Sequence, residues 1–238
     1  MAGRPAKAVK AASRTKPHRR GATRPFILVL AGVDGAGKSS VGGTLLAEHG
    51  LAWFNPDAYA RELVARLGID ITEANSRAWH YGREQLQQAI DRRTGFAFET
   101  TLGASTIPAM LARAAATHDV QMIFCGLASP EMHRARVRQR VAHGGHDIPE
   151  AKILERWDAS RANLIRLLPV LTRLQVYDNS APAQPGGDIP DPSLVLETVH
   201  GRTVFPRADD AASLAATPAW ARPIVQAALT TGSGHSAV

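Results

Sequence analysis

Apolar residues fall along this chain in short runs, separated by longer stretches of helical spacing. Phe26–Ala31 is unbroken, and Val120–Leu127 is the most continuous run after it. Shorter ones are Leu51–Asn55, Phe96–Phe98 and Leu174–Tyr177. Runs of this length suit strands covered on both faces of a parallel sheet. Between them the period changes. Tyr59, Leu63, Val64 and Leu67 predict a helix over Ala58–Leu67. Ala78, Tyr81, Leu86, Ala89 and Ile90 predict one over Ile71–Arg93 with these residues broadly along one side. Further helices are expected over Ser105–His118, from Ser129-Pro130 to the break at His143–Pro149, and over Glu150–Leu168. Asn55-Pro56 and Ser129-Pro130 are start signals, a capping side chain followed by a proline whose missing N–H costs the first turn nothing. Leu194–Phe205, interrupted by His200-Gly201, predicts a hairpin or short strand pair, and Pro218–Leu229 a short helix. Alternating strands and helices predict an α/β fold with a parallel sheet between helical layers.

Composition changes this picture only at the edges. With 238 residues and 45% hydrophobic content, the chain can bury one core. The net charge of +7 is not spread evenly. Residues 1–24 hold eight cations and no acid, so the remainder, with 20 cations against 21 acids, is nearly neutral. Residues 1–24 are therefore expected to be a disordered basic arm. They offer weak nucleic-acid binding at most, and the charge-balanced core adds no case for it. Cys125 alone excludes an internal disulfide and suits a reducing, cytoplasmic setting. No stretch is long enough to span a membrane. The Pro- and Gly-rich residues 181–192 read as a loop and Thr230–Val238 as frayed. Residues 181–238 are thus expected as an extension of loop, hairpin and helix packed on a core domain of residues 25–180.

The chemistry begins at Gly32-Val33-Asp34-Gly35-Ala36-Gly37-Lys38-Ser39, which fits G-x-x-x-x-G-K-[ST] between a strand and a predicted helix over Ser40–His49. Glycines there let main-chain N–H groups close on a polyphosphate, and the helix N-terminus adds partial positive charge. Gly32 through Ser40 are the expected ATP-binding residues, with Lys38 on the terminal phosphates and the Ser39 hydroxyl on Mg²⁺. Asp57 stands just past a strand's carboxyl end, where open α/β sheets bind ligands. An acid in a first helical turn can also simply complement the helix dipole. Glu99 directly follows apolar residues. A buried carboxylate must find a cation, a cleft or a hydrogen-bonded substrate. The helices on either side of His143–Pro149 carry Arg134, Arg136, Arg138, Arg140, Arg156, Arg161 and Arg166, which suits a lid over about residues 129–168. His143 and His146, without further ligands at metal spacing, make no zinc site. The set suits phosphoryl transfer from ATP to a small hydroxyl. An ATPase without an acceptor and a nucleotide-dependent nucleic-acid-binding module using the arm are the alternatives.

Asn55-Pro56-Asp57, Gly82-Arg83, Phe96–Thr101, Ser129-Pro130-Glu131, Gly144–Pro149 and Tyr177–Ser180 join the Gly32–Ser40 loop in a wider pattern over residues 26–180. In these motifs the chain resembles the zeta-toxin-like P-loop kinases, especially a small bacterial branch of predicted ATPases. The resemblance implies a P-loop NTPase with an adenylate-kinase-like three-layer sandwich and a helical lid. In zeta toxins proper it implies ATP-dependent phosphorylation of UDP-N-acetylglucosamine, held in check by a small antitoxin. Carried over, Asp57 is the base, Lys38 and Ser39 serve ATP and Mg²⁺, and Arg140 is the lid arginine. Arg83, Glu99 and Thr100 lie towards the acceptor, and His146 stands where zeta toxins carry a second lid arginine. The segment around Trp79, His80 and Tyr81 is bulkier than the family pattern beside Arg83.

Overall fold

A computed structural model describes residues 24–39, 41–42, 52–143, 145, 147–182 and 190–233. The expectations for the arm up to residue 23, for Ser40 and the helix after it beyond Gly42, for His146, for residues 183–189 and for 234–238 lie outside these residues. One sheet organises the molecule, in the order β2-β1-β3-β4-β5-β6. Its strands are β1 (Phe26–Ala31), β2 (Phe96–Thr100), β3 (Asp119–Gly126), β4 (Arg173–Asp178), β5 (Ser193–Val199) and β6 (Arg202–Phe205). The first four run parallel, so the strand that feeds the glycine loop lies between β2 and β3. The expected hairpin forms at 193–205, and it extends the same sheet antiparallel to β4.

The run ending at Asn55 makes less than a strand. Phe54 forms a single bridge to Phe98, its N–H donating to Ala97 and its carbonyl accepting from Glu99 at 2.9 Å each. Asn55-Pro56 stops the pairing there, because Asn55 turns to cap a helix. The helices are α1 (Pro56–Leu67), α2 (Ile71–Arg92), α3 (Thr106–Ala114), α4 (Pro130–Ala142), α5 (Glu150–Leu167), α6 (Ala211–Ala216) and α7 (Arg222–Ser233). α3 is shorter than its apolar pattern, ending at Ala114, while Thr117 and His118 turn back to bond its last carbonyls. Ser129 occupies the cap position of α4 without a side-chain capping bond.

The main core takes Leu86 from α2, Leu111 from α3, Phe124 from β3, Leu164 from α5, Val176 from β4 and Ile224 from α7. Residues beyond 180 are therefore part of the core. Trp220, 4% exposed, packs against Gly126, where any Cβ would stand 2.2 Å from its ring. α1 and α2 form a hairpin with its own small cluster, Ala60, Ala74 and Ala78 under Tyr59, Leu63 and Val64. Tyr81 does not join the core as its spacing suggested. It is 40% exposed and stacks on Tyr59 at 4.7 Å.

Candidate active site

β1 ends at Ala31, the chain turns through Val33–Ala36, and helix begins at Lys38. Gly37 must be glycine on two counts, a φ of 84° and the Asn179 amide, which would lie 2.3 Å from a Cβ. The Lys38 ammonium, 8% exposed, sits 3.5 Å from the Val33 carbonyl and 3.4 Å from Glu99 Oε1. Glu99 is equally buried, and each of its oxygens has a partner. Oε2 accepts from Ser39 Oγ at 3.0 Å and from Asn55 Nδ2 at 2.9 Å. The cost of burying this carboxylate is met by a cation and two donors.

Asn55 does more than the capping its sequence position suggested. Its Oδ1 accepts from the Ala58 N–H, which fixes the amide so that Nδ2 faces Glu99 and Ser39. The start of α1 is thereby tied to the phosphate loop. Asp57, one residue into that helix, faces Arg140 of α4 at 3.6 Å, both side chains about one third exposed. This ion pair is not in the core; it spans the cleft between α1 and the lid helix.

The lid helices are fastened to the phosphate loop at several points. Val137, Ile148 and Ile153 pack on Val33. The buried His133 ring donates from Nδ1 to the Asp34 carbonyl at 2.8 Å, and burial pushes its pKa down to about 4. It is a neutral imidazole at neutral pH. Asp34, 6% exposed, pairs with Arg156 of α5 at 2.7 Å. Burial alone would raise its carboxyl, but the charges of Lys38 and Arg156 outweigh that and hold it below the usual carboxylate range. Arg136 donates to the Asn179 carbonyl at 2.7 Å, and the Asn179 amide donates to the Ala36 carbonyl at 2.9 Å. Of the other lid arginines, Arg134 pairs with Glu150, while Arg161 pairs with Asp158 and covers the Trp157 ring.

Two cavities meet at this cluster. The larger, about 1010 Å³, runs from the phosphate loop under Met132, Arg136 and Arg140 to the Tyr177–Pro182 loop. The smaller, about 320 Å³, lies beyond Glu99, with Phe54, Trp79, Arg83, Thr100 and Arg156 in its walls. Lys38, Asp57 and Glu99 line both. Arg83 lies over the Trp79 ring at 5.6 Å. The Thr100 hydroxyl accepts from the Leu102 N–H, and Asn163 of α5 holds the Leu102 and Ala104 carbonyls from behind. The smaller cavity thus has one wall held by hydrogen bonds and a size at the low end of small-molecule sites.

Mg²⁺ is the metal the phosphate loop implies, and the donors fit it. Ser39 Oγ and Glu99 Oε2 converge within 3.0 Å, a hydroxyl and a carboxylate oxygen. Mg²⁺ commonly takes one or two protein oxygens and completes its octahedron with phosphate and water. Among the described residues no group of three or more His, Cys, Asp or Glu could hold a metal by itself.

The structure thus brings together Gly32 through Ser39, Asp57, Glu99 and Arg140, and places Arg83 and Thr100 in the smaller cavity. Sequence reading did not single out the Asp34–Arg156 pair, His133, Asn163 or Trp220. Each acts through a partner at least 42 residues away, which no local spacing reveals. Asn179 did carry a signal, as part of the Tyr177–Ser180 motif.

Comparison with known proteins places the fold. A family model described as an AAA domain matches residues 27–166. Among solved structures, that of AvrRxo1-ORF1:-ORF2 with ATP superposes with a TM-score of 0.57 at 15% identity, covering 76% of this chain and 60% of that one. The PezAT chromosomal toxin–antitoxin system of Streptococcus pneumoniae gives a TM-score of 0.51 at 18% identity, covering 78% and 75%. The present chain spans about three fifths of the AvrRxo1-ORF1:-ORF2 chain that it matches. At these identities the likeness is one of fold alone. No curated protein matches the chain.

Proposed function

This chain belongs to the AAA-domain family that its residues 27–166 match, and we propose that it is an ATP-dependent kinase acting on a hydroxyl of a small metabolite. One observation carries the reading: Lys38, Asp57 and Glu99 line both cavities at once. A triphosphate in the larger cavity and an acceptor in the smaller one would meet at these three side chains.

The phosphate loop and Lys38 bind and orient the triphosphate. Ser39 and Glu99 would hold Mg²⁺, which supplies charge neutralisation at the β- and γ-phosphates. Arg140 leaves Asp57 for the phosphates when they arrive, so the carboxylate turns from ion-pair partner to base. Asp57 takes the acceptor's hydroxyl proton, the hydroxyl oxygen bonds to the γ-phosphorus, and ADP departs with the electrons of the broken P–O bond. Arg83 and Thr100 contact the acceptor.

UDP-N-acetylglucosamine is the first acceptor to test. The resemblance to zeta toxins supports it, as does the fold shared with a toxin–antitoxin system, and a small antitoxin is the corresponding partner. ATP as donor is supported by the structural neighbour that holds it. Among the described residues no helix is long and apolar enough to cross a membrane, and the cytoplasm is the proposed setting. The test is purified protein with ATP, Mg²⁺ and candidate acceptors, followed by ³¹P NMR. A new phosphoester resonance that appears with the wild type and not with Asp57→Asn supports the reading. Hydrolysis at the same rate with and without every acceptor favours an ATPase instead.

A further inference from the structure

We infer that Trp220 is a positioning residue for the nucleotide cleft, acting through Asp178 and the loop that follows it. The inference rests on the ATP reading above and extends it to a part of the chain outside the 27–166 family match.

Trp220 stands between α6 and α7. Its ring fills the space that Gly126 leaves at the end of β3, and its Nε1 donates to Asp178 Oδ1 at 3.2 Å. The same carboxylate oxygen accepts from the Ser180 hydroxyl. Ser180 Oγ in turn accepts from the Ala128 N–H at 2.7 Å. Indole, carboxylate and hydroxyl therefore fasten the carboxyl end of β4 to that of β3.

Asn179 sits inside this fastening. Its N–H donates to Gly126, the residue Trp220 covers, at 3.0 Å. Its amide holds the Ala36 carbonyl at 2.9 Å and lies over Gly37. A carbonyl held this way cannot swing towards the phosphates, where its oxygen would repel them. The path from indole to phosphate loop is thus made of direct contacts. Asp178 is the joint: without the indole N–H it loses the donor that comes from outside its own loop, and the turn that carries Asn179 loses one of its ties, leaving the Arg136 bond to the Asn179 carbonyl and the N–H bond to Gly126.

A purely structural tryptophan would change stability without changing nucleotide affinity in any patterned way. The test is ATP affinity by isothermal titration of the full chain in Mg²⁺, with the melting temperature measured beside it. Trp220→Phe keeps an aromatic ring against Gly126 and removes the N–H. It should weaken ATP about fivefold, the loss expected of one ordinary hydrogen bond. In an Asp178→Ala background the same change should alter affinity by less than about twofold, because the contact it acts through is already gone. Ser180→Ala removes the other side-chain donor to Asp178, away from the core, and should also weaken ATP. Wild-type affinity in Trp220→Phe, or losses that multiply in the double variant, overturns the inference. If Trp220→Phe does not fold, Ser180→Ala decides, and unchanged affinity there overturns it. A wild type that binds no ATP overturns the ATP reading as well, so the two failures can be told apart.

Discussion

Arg156→Gln isolates one charge at the join between lid and phosphate loop. Arg156 is the hydrogen-bonded partner of the buried Asp34 at 2.7 Å, and its stem packs against Gly103. Glutamine keeps much of the stem and removes the charge. Asp34 is then left with the charges of Lys38, itself shared with Glu99, and of Arg140. Breaking a fully buried pair costs about 3–5 kcal/mol. The Asp34 side chain is 7% exposed and that of Arg156 33%, so water offsets part of the loss, and about 2 kcal/mol is the appropriate figure. For a domain of this size that corresponds to a fall of about 4–8 °C in melting temperature. The pH dependence gives a second reading. The Asp34 carboxyl lies below its ordinary value in the folded chain, so its contribution is full above the unfolded value of about 3.8 and fades as pH drops through the folded one. The gap between wild type and Arg156→Gln should therefore be complete at pH 7 and narrow below about pH 4. Thermal denaturation across that range checks it. Equal melting temperatures at pH 7 would rule out a stabilising Asp34–Arg156 pair, and so would a gap that stays constant into acid.

Other predictions follow from the same geometry. Asp57→Asn should lower transfer about 10²–10⁴-fold while ATP affinity, by titration, changes only a few-fold. Gly37→Ala forces a Cβ to 2.3 Å from Asn179 at a φ of 84° and should abolish measurable ATP binding. His133 is neutral in the folded chain with a pKa near 4, so the unfolded chain binds more protons between about pH 4 and 6.5. Stability should fall by about 3 kcal/mol as pH drops through that window, and chemical denaturation of His133→Asn should show a smaller fall. Deleting residues 207–238 removes Trp220, Ile224 and Val225 from the core; the product should lack a cooperative unfolding transition.

The sequence made the parallel core legible because two signals coincide there. Phe26–Ala31 is apolar throughout, and the glycine loop follows at once, so strand, turn and helix start were each visible. Asn55-Pro56-Asp57 was legible as a helix start for the same reason. The second task of Asn55, its bond to Glu99, was not, since it depends on two strand ends meeting in space. Glu99 could be recognised as needing a partner, but not as needing Lys38 and Ser39. The short run at Leu51–Asn55 was read as a strand; among its described residues, 52–55, only Phe54 forms a bridge, because apolar content does not report how many residues find a neighbour to pair with. Residues beyond 180 were read as an extension. Their pattern showed a hairpin and a helix, yet nothing local says that a hairpin will lengthen an existing sheet, or that a tryptophan will occupy a glycine's vacant side.

The covering of Gly126 by Trp220, with β5 paired to β4, bears on how a ribosome delivers this molecule. Every group proposed to touch a phosphate has been translated by residue 140. The indole and the aliphatic face that close the sheet arrive some eighty residues later. Until then the growing polypeptide displays Phe124 and Val176 with one side bare. Nucleotide binding should accordingly appear late and abruptly during synthesis, and stalled intermediates of about 180 residues are the forms most in need of a chaperone.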